Sequence, residues 1–140
     1  MHFVLIDRVL ECDAERLVGV KAVSLSEEYL QDHFPSFPVL PGVFMLEALV
    51  QAARAHLETG GIAERYVLGE VRAMKYGSFV RPGEVMRLEV TRVGEIGEDG
   101  RVTYKGQASK WTPGAGPEEA SGVVCASGRL VLRRVIRGAE

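Results

Sequence analysis

The sequence predicts an α+β domain in which one long helix packs against an antiparallel β-sheet. Between residues 43 and 53 only Glu47 and Gln51 are polar, so a helix here would be apolar nearly all round, which is typical of a buried helix. Later segments alternate apolar and polar residues with period two, which is typical of half-buried strands. Short turns such as Glu98-Asp99-Gly100 separate these segments, so successive strands are expected to pair antiparallel. One helix followed by a succession of such strands favours the α+β class.

Length and composition fit one globular domain over residues 1–140. The chain is 46% hydrophobic and 26% charged, and its 140 residues are enough to bury a proper core. A net charge of −2 argues against a nucleic-acid-binding protein, which would carry a basic excess. No run approaches the roughly 18 apolar residues that span a bilayer, so no membrane attachment is expected. Asp7 and Arg8 interrupt the apolar residues near the start, so we expect no signal peptide and a cytoplasmic location.

The first third of the chain predicts a strand followed by a short helix. Residues 16–24 are rich in valine with period-two character and indicate a strand. Ser24 or Ser26 can cap a helix whose first turn contains Glu27 and Glu28. This short helix would lead the chain into His33.

The stretch from His33 to Glu47 organises the rest of the chain. Three prolines between residues 35 and 41 fix the backbone and keep the preceding residues out of helical conformations. His33 is therefore expected to be held by stiff backbone, and Gly42 permits a tight entry into the helix. A carboxylate early in a buried helix, preceded by a rigidly held imidazole, is unusual for a core and indicates chemistry.

The central helix is expected over residues 43–58, ending at Thr59-Gly60-Gly61. Its polar residues follow at steps of four, three and four, so they share one stripe along the helix. These residues are Glu47, Gln51, Arg54 and Glu58.

After the central helix, the sequence predicts one strand and then, from Met86 on, an antiparallel meander. A strand is predicted over 65–74, weakened by Gly69, and a turn follows at 81–84. In the next strand Met86, Leu88 and Val90 alternate with Arg87, Glu89 and Thr91. A hairpin turn at 98–100, a strand over 101–111, a loop over 112–122 and a strand over 123–136 complete the order. Gly128 within the last strand predicts a bulge or a close approach of another segment.

Metal, redox and serine chemistry lack support in the sequence. Cys12 and Cys125 are far apart and have no metal or redox spacing, so both are expected to be reduced thiols. No cluster of His, Cys, Asp and Glu has metal-ligand spacing, and no Gly-x-Ser-x-Gly motif is present. Neither a metal nor a cofactor is expected.

The central stretch resembles the FabZ-type 3-hydroxyacyl-acyl-carrier-protein dehydratases. The resemblance is carried by His-Phe-Pro at 33–35, Pro-Val-Leu-Pro-Gly-Val at 38–43, Leu-Glu-Ala at 46–48 and Gln51. The fourteen-residue step from His33 to Glu47 matches the family's catalytic pair, and Glu in place of Asp favours FabZ over FabA. The family has a hotdog fold, a long central helix wrapped by a curved antiparallel sheet. Residues 3–11 resemble the family's opening segment, which precedes its first strand.

The resemblance implies a catalytic role for each residue of the stretch. Dehydration needs a base for the C2 proton, an acid for the departing C3 hydroxyl and a dipole for the thioester oxygen. His33 suits the base, since an imidazole titrates near neutral pH. Glu47, in an apolar helix, can deliver the proton, and the free N–H groups of Gly42 and Val43 can bind the carbonyl. Gln51 is expected to support the packing of the helix or the loop by hydrogen bonds and not to react.

The resemblance also implies partners. The substrate would be presented by acyl carrier protein, although coenzyme A stays open as the handle, as does the acyl chain length. The chain is expected to form a homodimer or a dimer-based hexamer in which His33 of one subunit faces Glu47 of the other. Acyl carrier protein is acidic, so basic residues should flank the tunnel mouth. The candidates are Lys75, Arg81, Arg133, Arg134 and Arg137.

Two other functions remain open at this stage. The first is a hotdog thioesterase in which Glu47 would activate water, although hydrolysis does not need His33. The second is a non-catalytic acyl-binding or dimerisation module. Asp32 and Arg54 depart from the family pattern, and Arg54 would narrow the acyl tunnel.

The other histidines and aromatic residues are expected to be structural. His2 and His56 are interpreted as ordinary surface or partly buried histidines. Tyr66, Tyr76 and Phe79 are expected in the core more than at the tunnel mouth.

Overall fold

The structure, a computed structural model, describes residues 4–24, 39–111 and 123–135. These residues form one helix and one antiparallel sheet with strand order β1-β2-β4-β5-β6-β3. The elements are β1 Arg8–Cys12, β2 Arg16–Ala22, α1 Gly42–Thr59, β3 Tyr66–Tyr76, β4 Val85–Val93, β5 Val102–Trp111 and β6 Val124–Arg134. The predicted α+β layout is confirmed. The short helix expected near Ser24 and the loop over 112–122 lie outside the described residues.

Helix α1 forms within one residue of its predicted bounds at each end. Small residues on its buried face, Ala48, Ala52 and Ala53, let the helix approach the sheet closely. Gly106 on β5 leaves room for Leu49, whose Cδ1 lies 3.3 Å from the position that a Cβ would take. Among the described residues, no helix is both long and apolar enough to cross a membrane.

Strand β4 shows one departure from the predicted alternation. Met86, Leu88 and Val90 are fully buried, as their period-two pattern predicts. Arg87 on the other face is also buried, with 3% of its surface exposed. Its guanidinium donates a hydrogen bond to Glu89 Oε1 over 3.3 Å. A buried charge is tolerated when it is paired in this way.

Gly128 on β6 allows a close approach, as predicted. A Cβ at this position would lie 2.7 Å from Met74 Sδ and 3.0 Å from Met74 Cα on β3. The pairing of β3 with β6 shifts register between Arg72 and Lys75, where Ala73 adopts a positive φ of 52°. Strand β3 therefore bulges toward Gly128, and a side chain at position 128 would collide with β3.

The first strand corrects one expectation. Residues 3–11 were expected to precede the first strand, but Arg8–Cys12 forms a strand of its own, paired antiparallel with β2. Asp7 supports the start of this pairing because its Oδ2 accepts a hydrogen bond from the Ala22 N–H over 2.7 Å. Strands β1 and β3 thus form the two edges of the described sheet.

Candidate active site

Glu47 lies in the second turn of α1 and is half-buried. Gln51, one turn later, donates a hydrogen bond from Nε2 to Glu47 Oε1 over 3.3 Å. The other end of the same amide, Oε1, accepts a hydrogen bond from the Leu5 N–H over 2.8 Å. Gln51 therefore connects the N-terminal segment to the carboxyl group of Glu47. The supporting role of Gln51 stays a prediction.

The start of α1 presents unpaired backbone N–H groups. The N–H groups of Phe44 and Met45 donate to the Pro41 carbonyl over 2.9 and 3.3 Å. Within the described part of the chain, the N–H groups of Gly42 and Val43 have no hydrogen-bond partner. Pro41 contributes no side-chain cap, and the first turn contains no acidic residue. The positive end of the helix dipole is therefore available to an anion or to a carbonyl oxygen.

Exposed apolar side chains surround this helix start. Val43 is 63% exposed, Tyr76 53% and Phe79 55%. The expectation that Tyr76 and Phe79 belong to the core is therefore wrong, whereas Tyr66 is buried as expected. Local sequence could not distinguish these aromatic residues, because their exposure depends on where the end of β3 meets the helix.

The segment after β3 is fixed on two sides. Gly77 N–H donates to the Cys125 carbonyl over 2.8 Å, and Ser78 N–H donates to the Val124 carbonyl over 3.1 Å. On the other side, Leu40 N–H donates to the Val80 carbonyl over 2.8 Å. These bonds place the end of β3 beside the start of α1.

The catalytic histidine predicted from sequence, His33, lies outside the described residues, as do Asp32 and Arg137. Glu47 and the N–H groups of Gly42 and Val43 lie in the first two turns of α1, and Gln51 follows one turn after Glu47. The role of His33 stays a prediction.

His56 corrects an expectation at the other end of α1. It was expected at the surface or partly buried, but only 4% of its surface is exposed. Its Nε2 lies 2.8 Å from the Asp13 carbonyl oxygen, which can only accept, so Nε2 carries a proton. Its Nδ1 lies 2.6 Å from the Tyr104 hydroxyl, which then donates to it in the neutral ring. Burial raises the pKa of Tyr104 above its ordinary value, consistent with a hydroxyl that keeps its proton.

The basic residues predicted to flank the tunnel mouth lie in two separate regions of the surface. Lys75 and Arg81 are exposed and flank the segment that contains Tyr76 and Phe79. Arg133 and Arg134 instead line a cleft of about 480 Å³ together with Arg101. The pairing of Ala126 with Tyr76 and of Arg134 with Tyr66 puts about 26 Å of strand between the two places. Of the four candidates that the structure describes, Lys75 and Arg81 are the two near the segment that meets the helix start.

Other candidate chemistry is limited in the described residues. Arg54 lines a cavity of about 240 Å³ near the C-terminal end of α1, with Leu57 and Tyr66 among its neighbours. Cys12 is exposed and Cys125 buried, and both are free thiols, as predicted. Burial raises the pKa of the Cys125 thiol. In the part of the chain with described coordinates, no group of three His, Cys, Asp or Glu residues could hold a metal ion.

One helix packed against a six-stranded antiparallel sheet, with a carboxyl group near the helix start, defines a protein of the hotdog class. Solved structures share this fold. The dehydratase heterocomplex ApeI:P from Xenorhabdus doucetiae matches with a TM-score of 0.72 at 19% identity, over 96% of this chain and 84% of that chain. A hypothetical thioesterase protein with coenzyme A from Streptococcus pneumoniae TIGR4 matches with a TM-score of 0.66 at 9% identity, over 91% and 84%. At these identities the likeness concerns the fold alone.

The FabA-like domain model matches residues 1–115, and the chain belongs to this family. The 3-hydroxyacyl-[acyl-carrier-protein] dehydratase FabZ of Xanthomonas oryzae pv. oryzae (strain PXO99A) is 42% identical over 94 residues, which are 63% of this chain. The chain spans 61% of the length of that relative. FabZ of Ruminiclostridium cellulolyticum (strain ATCC 35319 / DSM 5812 / JCM 6584 / H10) is 37% identical over 119 residues, covering 75% of this chain and 83% of the relative. The predicted FabZ-type resemblance is confirmed.

Proposed function

We propose that this protein is a dehydratase that removes water from (3R)-3-hydroxyacyl thioesters and releases trans-2-enoyl thioesters in fatty acid biosynthesis. The observation that carries the proposal is the position of Glu47. Glu47 lies one turn after the two N–H groups of Gly42 and Val43, which have no partner among the described residues. Gln51 donates a hydrogen bond to the Glu47 carboxyl group. This arrangement offers a proton donor and a carbonyl-binding site on one rigid element. Relatives at about 40% identity are named 3-hydroxyacyl-acyl-carrier-protein dehydratases, which supports the same reaction.

In the proposed reaction, each group moves a defined proton or holds a defined charge. His33 takes the proton from C2, and the electrons of the C2–H bond form the double bond between C2 and C3. The C3–O bond breaks, and Glu47 gives its proton to the departing hydroxyl, which leaves as water. The Gly42 and Val43 N–H groups hydrogen-bond the thioester oxygen, where negative charge develops during removal of the C2 proton.

The proposed substrate is carried by acyl carrier protein. Lys75 and Arg81 lie beside the helix start, where an acidic carrier would approach with its thioester arm. Such a carrier-dependent synthesis would place the protein in the cytoplasm.

We further propose that two copies of the chain share each site, in a homodimer that stands alone or forms part of a hexamer. Two observations support a second copy. Edge strand β3 has eleven residues and no described neighbour on one side. Exposed apolar side chains, including Val43, Tyr76 and Phe79, collect at the helix start. In this dimer His33 of one subunit would face Glu47 of the other.

The test uses crotonyl and 3-hydroxybutyryl thioesters of acyl carrier protein. A dehydratase interconverts them, which changes the enoyl absorbance without release of free thiol. Glu47→Gln and His33→Ala should each lower turnover by about 10²- to 10⁴-fold, the usual contribution of a general acid or base. Glu58→Gln, an exposed carboxylate on the last turn of the same helix, is the matched control and should keep wild-type activity.

Other outcomes would replace the proposal. Release of free thiol from either thioester would identify a thioesterase, with Glu47 activating water. Binding of the acyl thioester with neither reaction would identify an acyl-binding module.

A further inference from the structure

The ring of Tyr76 lies directly against the backbone of Gly42. Its Cε1, Cδ1 and Cζ atoms lie 3.0, 3.2 and 3.5 Å from the position that a Cβ on Gly42 would take. A methyl group at residue 42 would therefore require the ring to move by a few tenths of an ångström. The ring thus occupies one side of the first residue of α1, next to the two unpaired N–H groups.

A hydrogen bond and a tight backbone contact hold the segment that follows Tyr76. Gly77, the next residue, hydrogen-bonds the Cys125 carbonyl, and a Cβ at Gly77 would lie 2.5 Å from the Val124 carbonyl oxygen. Position 77 therefore requires glycine, and the backbone that supports Tyr76 is pressed onto β6. The other part of the ring faces outward, since Tyr76 is about half exposed.

Gly42 needs such support because glycine has the widest conformational freedom of all residues. Its φ and ψ angles orient both its own N–H and that of Val43. The Pro41 ring restricts the backbone before Gly42, and the bonds from the Phe44 and Met45 N–H groups to the Pro41 carbonyl close the turn that contains it, so the Tyr76 ring adds to these restraints. A bond that stabilises developing charge depends on donors held near their final direction. Among the described residues, the Tyr76 ring supplies the three atoms nearest to the position of a Cβ on Gly42, so it can supply this restraint.

We infer that Tyr76 is a positioning residue for the carbonyl-binding site, and that its ring keeps the Gly42 and Val43 N–H groups aimed at the thioester oxygen. This inference rests on the proposed function. The ring acts through its carbon edge, so the phenol hydroxyl is not needed for the role.

The experiment measures binding of two substrate analogues that cannot react, so its result does not depend on turnover. One is the butyramide of aminopantetheine, in which NH replaces the thioester sulfur and the carbonyl is kept. The other is the S-butyl thioether of pantetheine, in which CH₂ replaces the carbonyl. Isothermal titration calorimetry on the full chain gives both dissociation constants. Wild-type protein should bind the carbonyl analogue more tightly.

Tyr76→Ala should weaken binding of the carbonyl analogue by about threefold to tenfold, which is what one hydrogen bond typically contributes. Binding of the thioether should change by less than about twofold. Tyr76→Phe keeps the ring and should bind both analogues like wild type. Phe79→Ala, which removes a similarly exposed aromatic ring at the same end, is the control and should show no selective loss of the carbonyl analogue.

Two results would overturn the role of Tyr76. Equal losses for both analogues in Tyr76→Ala would mean that the ring contacts the pantetheine arm, and an unchanged affinity would mean that it does not restrain Gly42. If wild-type protein bound both analogues equally, the carbonyl site of the proposed function would fail, and this role would fail with it. Wild-type and variant comparisons therefore separate the two failures.

A double-mutant cycle gives a second measure. Gly42→Ala alone should weaken the carbonyl analogue because the new methyl group meets the Tyr76 ring. In a chain that already carries Tyr76→Ala there is space for the methyl group, so Gly42→Ala should weaken binding of the carbonyl analogue less. Additive losses in the two backgrounds would contradict a direct coupling of the ring with residue 42.

Discussion

Gln51 and Glu47 are joined across one turn of α1 by a hydrogen bond of 3.3 Å from the amide nitrogen to the carboxyl oxygen. The same amide also accepts a hydrogen bond from the Leu5 N–H, so a single side chain contacts both the proposed acid and the N-terminal segment. Orientation of the carboxyl group and docking of that segment are therefore linked.

Replacing Gln51 with Leu removes both hydrogen bonds while keeping a side chain of similar size. We expect kcat for 3-hydroxybutyryl-acyl carrier protein to fall about threefold to tenfold, because Glu47 loses the group that orients it. The free energy of unfolding should also fall by about 1 kcal/mol, since the Leu5 N–H loses its acceptor. Gln107→Leu, at a half-buried position on β5, controls for the loss of an amide elsewhere. An unchanged kcat with lower stability would limit Gln51 to anchoring Leu5.

Mixing two inactive variants tests whether the site is shared between subunits. A mixed dimer of His33→Ala and Glu47→Gln would contain one site with both defects and one intact site. Random exchange makes about half of the dimers mixed, so about a quarter of wild-type activity should return. Mass spectrometry of differently tagged chains must first establish exchange. If chains exchange and no activity returns, the model of a site shared between subunits is wrong.

Charge reversal at Lys75 tests the docking of acyl carrier protein. Lys75→Glu should raise KM for the carrier-bound substrate and leave KM for a pantetheine thioester unchanged, because only the carrier presents acidic groups to this surface. Lys105→Glu, at an exposed position on β5, is the control for net charge. Equal effects on both substrates would argue against a docking role.

Tyr104→Phe tests the buried pair formed with His56. Loss of the hydroxyl leaves Nδ1 of a buried imidazole without its partner, so the free energy of unfolding in urea should fall by about 1–3 kcal/mol. Tyr66→Phe is the control, because Tyr66 is a buried residue whose hydroxyl makes no hydrogen bond within the described residues. If both variants lost the same stability, the His56–Tyr104 bond would contribute nothing specific.

Glu84 gives a pH-dependent prediction. Burial alone would raise the pKa of this carboxyl group, but hydrogen bonds from Lys110 and from the Arg81 N–H outweigh burial and lower it. The folded state therefore binds the proton more weakly than the unfolded state does. This contribution to stability is present above the unfolded pKa and is lost as pH falls through the folded pKa.

The Glu84→Gln variant should accordingly have a lower Tm than wild type at neutral pH, by an amount equivalent to about 1 kcal/mol. The difference should shrink in acid, below the pH at which the folded carboxylate takes up its proton. A Tm difference that stays constant over this range would show that the charge of Glu84 is not the cause.

Sequence alone predicted the elements whose determinants are local. Helix α1 follows from one apolar run that ends at Gly60 and Gly61, and the close approach at Gly128 follows from a glycine inside a strand pattern. The step from Gly42 to Glu47 and Gln51 was also readable, because these three residues belong to one helix.

The features that sequence missed depend on distant partners. His56 is buried because Asp13 and Tyr104, 43 and 48 residues away, satisfy its two ring nitrogens. Arg87 is buried because Glu89 pairs with it, and β1 is a strand because β2 is beside it. The contact of Tyr76 with Gly42 likewise arises only when the end of β3 meets α1, although a glycine at the first helical position was a usable indication.

The uncapped start of α1 sets a limit on improving this protein in the laboratory. A screen for heat resistance alone would favour replacing Val43 or Pro41 with Asp or Ser, since such residues satisfy free N–H groups and typically add about 1 kcal/mol. In the proposed function, the same substitutions would fill the carbonyl site with the protein's own oxygen atom. Thermostable variants should therefore be sought at the other end of the helix, and those that arise at its start are expected to be the inactive ones.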